Sequence, residues 1–181
     1  HTSELVPLVA GSTIIATGGM HGLFGNTTGS LDNTGAVTAE LFRAGIPIAN
    51  GEFIQYHPTT AAFSGKRLLI SEAVRGEGGR LFVYRDGAPY YFMEEEYPEL
   101  GNLAPRDVLS REIWRRENGG DTPATVYLDM RHLPDDVLDT KLLDIVEDCR
   151  TYFRLDPKTE PIPGTPGIHY FMGASRLTSS I

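Results

Sequence analysis

The chain has a single cysteine, Cys149, in 181 residues. That excludes an internal disulfide and every metal or iron–sulfur site built from several thiolates. Cys149 falls in an amphipathic stretch, where the reading is burial as a small apolar side chain. No apolar run approaches the roughly twenty residues needed to span a bilayer. No lysine–arginine run occurs and the formal net charge is −8, which argues against nucleic acid as a partner. The dinucleotide fingerprint is missing, because Gly18-Gly19 lacks its third glycine and following helix. Internal repeats and a secretory signal are also missing, and a reducing, cytoplasmic setting is the expectation. Position 1 is His rather than Met, so the sequence reads as a piece of a longer polypeptide.

With 40% hydrophobic residues the chain can form one domain with a core. Its chemistry concentrates in residues 52–79. Glu52-Phe53-Ile54-Gln55-Tyr56-His57-Pro58-Thr59-Thr60 leads through a short loop to Leu69-Ile70-Ser71-Glu72-Ala73-Val74-Arg75-Gly76-Glu77-Gly78-Gly79. His, Thr and Ser donate hydrogen bonds to carboxylates, while Glu and Arg can relay protons. The stretch reads as an anion site beside a proton-carrying chain. A polar loop between two strands accounts for the same residues.

Elsewhere the pattern gives a coarse element map. Residues 12–19 read as a short buried strand ending at Gly18-Gly19. Thr27-Thr28-Gly29-Ser30 precedes a helix over 34–44, stopped by Gly45. That approach can hold a phosphate at the helix N-terminus, or Thr34 can simply cap the helix. Residues 81–84 and 89–93 flank Asp86-Gly87 as a hairpin, and Glu94-Glu95-Glu96 reads as a solvated loop. A helix over 107–116 starts at Pro105 and Asp107 and stops at Gly119-Gly120. Arg106 at its entrance opposes the helix dipole and needs an anion, either Asp107 or a substrate carboxylate. Residues 125–129 form a strand. Residues 135–153 form an amphipathic helix with Val137, Leu138, Leu142, Ile145, Val146 and Cys149 on one face. The four prolines of 157–166 give an extended connector. It leads to His169, which borders an apolar run and reads as a core histidine or a functional one.

Several motifs carry a family resemblance. They are Ala16-Thr17-Gly18-Gly19, the two halves of 52–79, Pro105-Arg106-Asp107, Tyr127-Leu128-Asp129-Met130-Arg131-His132-Leu133, the run Asp156 to Pro163, and His169-Tyr170-Phe171-Met172-Gly173. In this order, and covering nearly the whole chain from Ser12, they resemble the flavoprotein subunits of fumarate reductase and succinate dehydrogenase, with L-aspartate oxidase close by. The resemblance implies FAD, a dicarboxylate substrate and an iron–sulfur subunit as partner. It also implies an α+β capping domain with a small mixed sheet and helices. Residues 1–45 would be a remnant of the FAD-binding domain with its connecting helix, 46–173 the cap, and 174–181 a truncated return segment. Arg106 would deliver the proton, with Glu72 and Arg75 behind it. His57, Thr59, Ser71 and His169 would bind substrate. Thr17, Gly18, Gly19, Thr28 and Gly35 would contact the flavin. No metal is implied.

The sequence departs from the family's pattern in three places. Ala36-Val37 replaces an Asp-Gly pair, Ser71 replaces the commoner Thr, and Gly173-Ala174 replaces Gly-Gly. The expected function is fumarate–succinate interconversion, with the 181 residues inert alone. The alternatives are L-aspartate oxidase, or a flavin-free dicarboxylate-binding or subunit-docking module.

Overall fold

The computed structural model describes residues 6–119 and 123–175. In chain order the elements are α1 (Ala36–Arg43), β1 (Ile48–Ala49), β2 (Ile54–Phe63), β3 (Lys66–Leu69), α2 (Glu72–Gly76), β4 (Arg80–Arg85), β5 (Ala88–Tyr90), α3 (Phe92–Glu96), α4 (Arg106–Asn118), β6 (Tyr127–Asp129), α5 (Asp135–Leu138), α6 (Leu143–Asp148), β7 (Ile162–Pro163), β8 (Thr165–Phe171) and β9 (Ala174–Ser175). The α+β class is as expected, but the single mixed sheet is not. Among the described residues three sheets form, ordered β1-β9, β3-β2-β8 and β5-β4-β6-β7, and every ladder among them is antiparallel. An isolated parallel bridge joins Thr27 to Ile168.

The strand β2 organises the site. Its ladder with β8 sets His57 opposite Gly167 and then skips to Thr60 opposite Thr165. Pro58 lies in the skipped stretch, and a residue without an N–H cannot donate to a ladder. Gly167 is required by close approach, since a Cβ there would lie 2.8 Å from the Thr60 hydroxyl. Helix α4 packs across β2 and β8. Its Leu109 and Ile113 join Ile70, Val74, Leu81, Phe92, Met93, Leu128 and Met130 in the core.

The hairpin forms as its Asp-Gly signal requires, with φ of 52° at Asp86 and 79° at Gly87, both positive as in a type I′ turn. Beyond Tyr90, however, Phe92 and Met93 enter α3 rather than the strand. The acidic run lies in α3 rather than in a loop; Glu94 pairs with Arg80 and Glu96 with Arg116, while Glu95 and Glu96 are exposed as expected. The segment 12–19 forms no strand. Among the described residues no backbone hydrogen bond ties it to a neighbour, and Ile14 is exposed. Helix α1 starts later than expected, with Gly35 rather than Thr34 at its N-cap and no side-chain cap bond.

Helix α4 begins at Arg106 and ends against Gly119; Gly120, the second half of the expected stop, lies outside the described residues. The expected helix over 135–153 is three pieces: α5, α6 and a π-helical turn at Cys149–Phe153. The break is a wider turn in which the Leu142 amide donates to the Val137 carbonyl, while Lys158 bridges Asp135 and Asp139. The apolar face survives it, with Leu138, Leu142, Val146 and Cys149 buried. The proline-rich connector is partly regular, since β7 and the start of β8 lie within it. The chain then returns beside its own first strand, Ser175 opposite Ile48; residues 176–181 lie outside the description.

Candidate functional site

Two helix N-termini meet beside Gln55, near the start of β2. Ser71 caps α2, its hydroxyl oxygen accepting from the Ala73 amide at 3.2 Å. This places Glu72 on the first turn, where a carboxylate is favoured by the helix dipole. Arg106 opens α4 directly after Pro105. Its Nε and Nη2 donate to Oε2 of Glu72 at 3.0 and 2.7 Å, and its Nη1 donates to Oε1 of Gln55 at 2.9 Å. The anion that offsets Arg106 is therefore Glu72. Asp107, one of the two anions expected in that role, pairs with Arg111 instead. The Arg106 hydrogen bonds hold the Glu72 carboxyl below its ordinary pKa.

Arg75 follows one turn after Glu72, its side chain fully buried. Its Nη1 donates to the Asn102 carbonyl at 2.8 Å, and its Nη2 lies 3.9 Å from Glu72. Nε and Nη2 have no hydrogen-bond partner among the described residues. Burial lowers its pKa. Arg106, Glu72 and Arg75 thus form a file running from a half-exposed guanidinium to a buried one.

His57 is 1% exposed. Its Nδ1 lies 3.1 Å from the Thr59 carbonyl oxygen and 3.3 Å from the Thr59 amide, contacts that suit opposite tautomers. Burial, with help from the positive charge of Arg106, pulls its pKa down to about 4, so it is neutral at pH 7. His169 stands edge-on to His57 with ring centroids 5.3 Å apart. Its pKa is lowered by burial and then by Arg106, and its Nδ1 lies 2.8 Å from the Thr28 hydroxyl. Thr59 does not reach the site surface: it is buried, and its hydroxyl donates to the Ile70 carbonyl at 2.9 Å.

Four of the five expected flavin contacts line two clefts that share Thr17, Gly19 and Thr38. A cleft of about 220 Å³ is lined by Thr17, Gly18, Gly19, Met20, Thr38 and Phe171. A second, of about 150 Å³, is lined by Thr17, Gly19, Gly35, Ala36 and Thr38 among others. Gly18 and Gly35 both have φ above 70°. With no side-chain cap on α1, its first amides are available as donors, together with two threonines. This donor set fits the hydrogen-bonding edge of a flavin. Ala36 and Val37 are at the helix start, so loss of the family's Asp side chain leaves these backbone donors in place. Thr28, the fifth contact, sits with the histidines instead.

Three residues of the site escaped the sequence reading. Gln55 lies two positions before His57 on one strand, the spacing that puts side chains on one face. Asn102 joins Arg75 to the sheet by accepting from the Leu81 amide at 2.8 Å and donating to Glu94 at 3.0 Å; no sequence signal marks it. His21 hydrogen-bonds Thr27 in the turn beneath His169. Arg106 and Gln55 line a cleft of about 380 Å³. A cleft of about 890 Å³ runs along α4 past Tyr56 and Trp114, and neither His57 nor His169 lines it.

The family model described as FAD binding domain matches residues 1–174. The chain is 43% identical over 166 residues to the succinate dehydrogenase flavoprotein subunit of Bacillus subtilis, covering 90% of this chain and 28% of that relative. It is 42% identical over 168 residues to the L-aspartate oxidase of a Nostoc species, covering 91% and 28%. A solved quinol–fumarate reductase with menaquinol molecules superposes with a TM-score of 0.75 at 34% identity, over 91% of this chain and 30% of that one. The chain therefore spans under a third of the length of the relatives it matches. A match running through 174 residues, and relatives above 40% identity, place the chain in the FAD binding domain family, among the flavoproteins of succinate dehydrogenase, fumarate reductase and L-aspartate oxidase.

Proposed function

We propose that this chain is the dicarboxylate-binding part of an FAD-dependent oxidoreductase that interconverts fumarate and succinate. The observation that carries this reading is Arg106, held between Gln55 and Glu72 near two neutral histidines. Bound FAD supplies hydride transfer at one substrate carbon. The neighbouring carbon needs a proton, which Arg106 delivers in reduction and takes in oxidation. An isolated arginine, with a pKa above about 12, is a poor acid. Glu72 offsets this by fixing the guanidinium and, with Arg75, forming the route by which its proton is replaced.

His57 and His169 bind carboxylates as N–H donors. The Ser71 oxygen already accepts from Ala73, which leaves its O–H to donate. Thr59 braces His57 from below. Thr17, Gly18, Gly19 and Gly35 would hold the flavin through backbone and hydroxyl groups, with Thr28 nearer the substrate. Family membership removes the flavin-free module from consideration.

Within this reading, residues 46–173 are a capping domain between a flavin-domain segment at 1–45 and a return segment at 174–181. The partner is an iron–sulfur subunit, and the site is cytoplasmic, on the membrane face through partner subunits. Among the described residues no helix is long and apolar enough to cross a membrane. The 181 residues alone are inert.

The test uses the full-length flavin-loaded protein. Fumarate-dependent oxidation of a reduced viologen supports the reading, and its absence with bound FAD overturns it. The second reading is L-aspartate oxidase, kept because the identity of 42% to that relative is close to the 43% to the dehydrogenase relative. Peroxide formed from aspartate and oxygen would select it.

A further inference from the structure

Beneath His169 lies a hydrogen-bond chain whose donors and acceptors can be assigned by counting. The Ile168 carbonyl accepts from the Thr28 amide at 2.9 Å and from the Thr27 hydroxyl at 3.1 Å. A carbonyl oxygen has two lone pairs, so both are used. The Thr28 hydroxyl, 3.5 Å from that oxygen, is displaced to its nearer neighbour, Nδ1 of His169 at 2.8 Å. Thr27 is fully buried and has already given its proton to Ile168. Its oxygen therefore accepts, from the Gly29 amide at 3.2 Å and from Nδ1 of His21 at 2.7 Å.

His21 is held for this contact. Its ring packs edge-on to Phe171 with centroids 4.9 Å apart, and it fills the space over Gly29, where any Cβ would overlap it. Burial lowers the pKa of His21, as it does that of His169. Both rings are neutral at pH 7, so each has one N–H and its tautomer decides what it can do.

We infer that His21 is a positioning residue for the dicarboxylate site, acting through the turn Thr27-Thr28 to fix His169 as the tautomer protonated on Nε2. The Nδ1–H of His21 commits the Thr27 hydroxyl to the Ile168 carbonyl. That commits the Thr28 hydroxyl to Nδ1 of His169 and leaves its proton on Nε2. A neutral histidine binds a carboxylate only through an N–H, so this tautomer is the one the site needs. The inference rests on the dicarboxylate reading above.

The test is binding of malonate, an unreactive dicarboxylate, to the oxidised full-length flavoprotein, measured by calorimetry beside flavin content. His21→Phe keeps the ring over Gly29 and removes its N–H; Thr27→Val removes the hydroxyl and keeps its shape. Each is expected to weaken malonate binding at least tenfold with flavin content unchanged. The double variant is expected to be no worse than either single one, because both cut one chain. His21→Asn restores a donor near the position of Nδ1 and is expected to recover binding to within about threefold of the parent. Should His21→Phe not assemble with flavin, Thr27→Val and His21→Asn read the same chain. Malonate affinity within twofold of the parent in Thr27→Val, or losses that add in the double variant, overturns the inference and leaves the dicarboxylate reading standing. A parent that binds FAD and no malonate overturns both.

Discussion

The Arg106 guanidinium donates two hydrogen bonds to a single oxygen of Glu72, at 2.7 and 3.0 Å. The other Glu72 oxygen faces buried Arg75. One guanidinium is thus partly exposed, and the next has two nitrogens without partners among the described residues. Arg106→Gln keeps much of the side-chain size and removes the acid. In the full-length enzyme it is expected to lower fumarate turnover by about 10³-fold while shifting the malonate dissociation constant only slightly. Glu72→Gln keeps an acceptor for Arg106 and removes the charge; a loss of about 10² is expected. Steady-state kinetics beside calorimetry checks both, and equal losses in binding and turnover would assign Arg106 to binding alone.

Arg75 gives the clearest separation of function from stability. Its charge is buried with, among the described residues, one hydrogen bond, to the Asn102 carbonyl. Arg75→Met removes a desolvated cation, which favours the fold, and strips the Asn102 carbonyl of its donor, which costs about 1 kcal/mol. The two terms oppose each other, so the melting temperature is expected to move by less than about 4 °C. Turnover is expected to fall by about 10² because the proton route is cut. A variant with parental turnover would remove Arg75 from that route.

His57 makes stability depend on pH. Its folded pKa, about 4, lies below the unfolded value of about 6.5, so between these values the unfolded chain binds more protons. Its contribution is therefore fully present above about pH 6.5 and is lost as pH falls toward 4. From pH 7 to pH 5 the loss from this group is about 2 kcal/mol. Urea titrations of the parent and of His57→Gln at the two pH values test the sign. The variant is expected to show a shallower dependence, with His21 and His169, also lowered by burial, supplying what remains.

Local chemistry was legible where a residue's own backbone preference decides the outcome. Asp86-Gly87 could only turn, and Pro105 could only start α4. The apolar face from Val137 to Cys149 pointed to the core even though the helix beneath it breaks. What escaped depends on partners distant in sequence. Arg106 finds Glu72 thirty-four positions away rather than adjacent Asp107. Glu94 looked solvated because Arg80 and Asn102 meet it only in the fold. Ile14 sits in a strand-like pattern, and a strand is defined by neighbours that this segment does not have among the described residues. Asn102 and His21 act through backbone and hydroxyl groups, which composition and periodicity do not reveal.

The motif from Tyr127 to Leu133, one of those that marked the family, is structural in this fold. Asp129 is 4% exposed; it accepts from Arg131 at 2.8 and 2.9 Å and from the Tyr91 hydroxyl at 3.0 Å. Burial raises its pKa, but the Arg131 bonds and the Tyr91 hydroxyl outweigh it and bring the carboxyl down to about 2. A depressed carboxyl contributes stability above its unfolded pKa, about 3.9, and loses it as pH falls toward 2. Asp129→Asn retains the shape, loses the charge and turns one acceptor into a donor facing Arg131. It is expected to destabilise the protein by about 2–3 kcal/mol at pH 7. Because Asp129 belongs to the sheet of β4 and β6 rather than to that of β2 and β8, malonate affinity should stay within about twofold of the parent. Chemical denaturation and calorimetry on the same preparation decide the matter. A stable variant with lost malonate affinity would move this motif from the scaffold to the site.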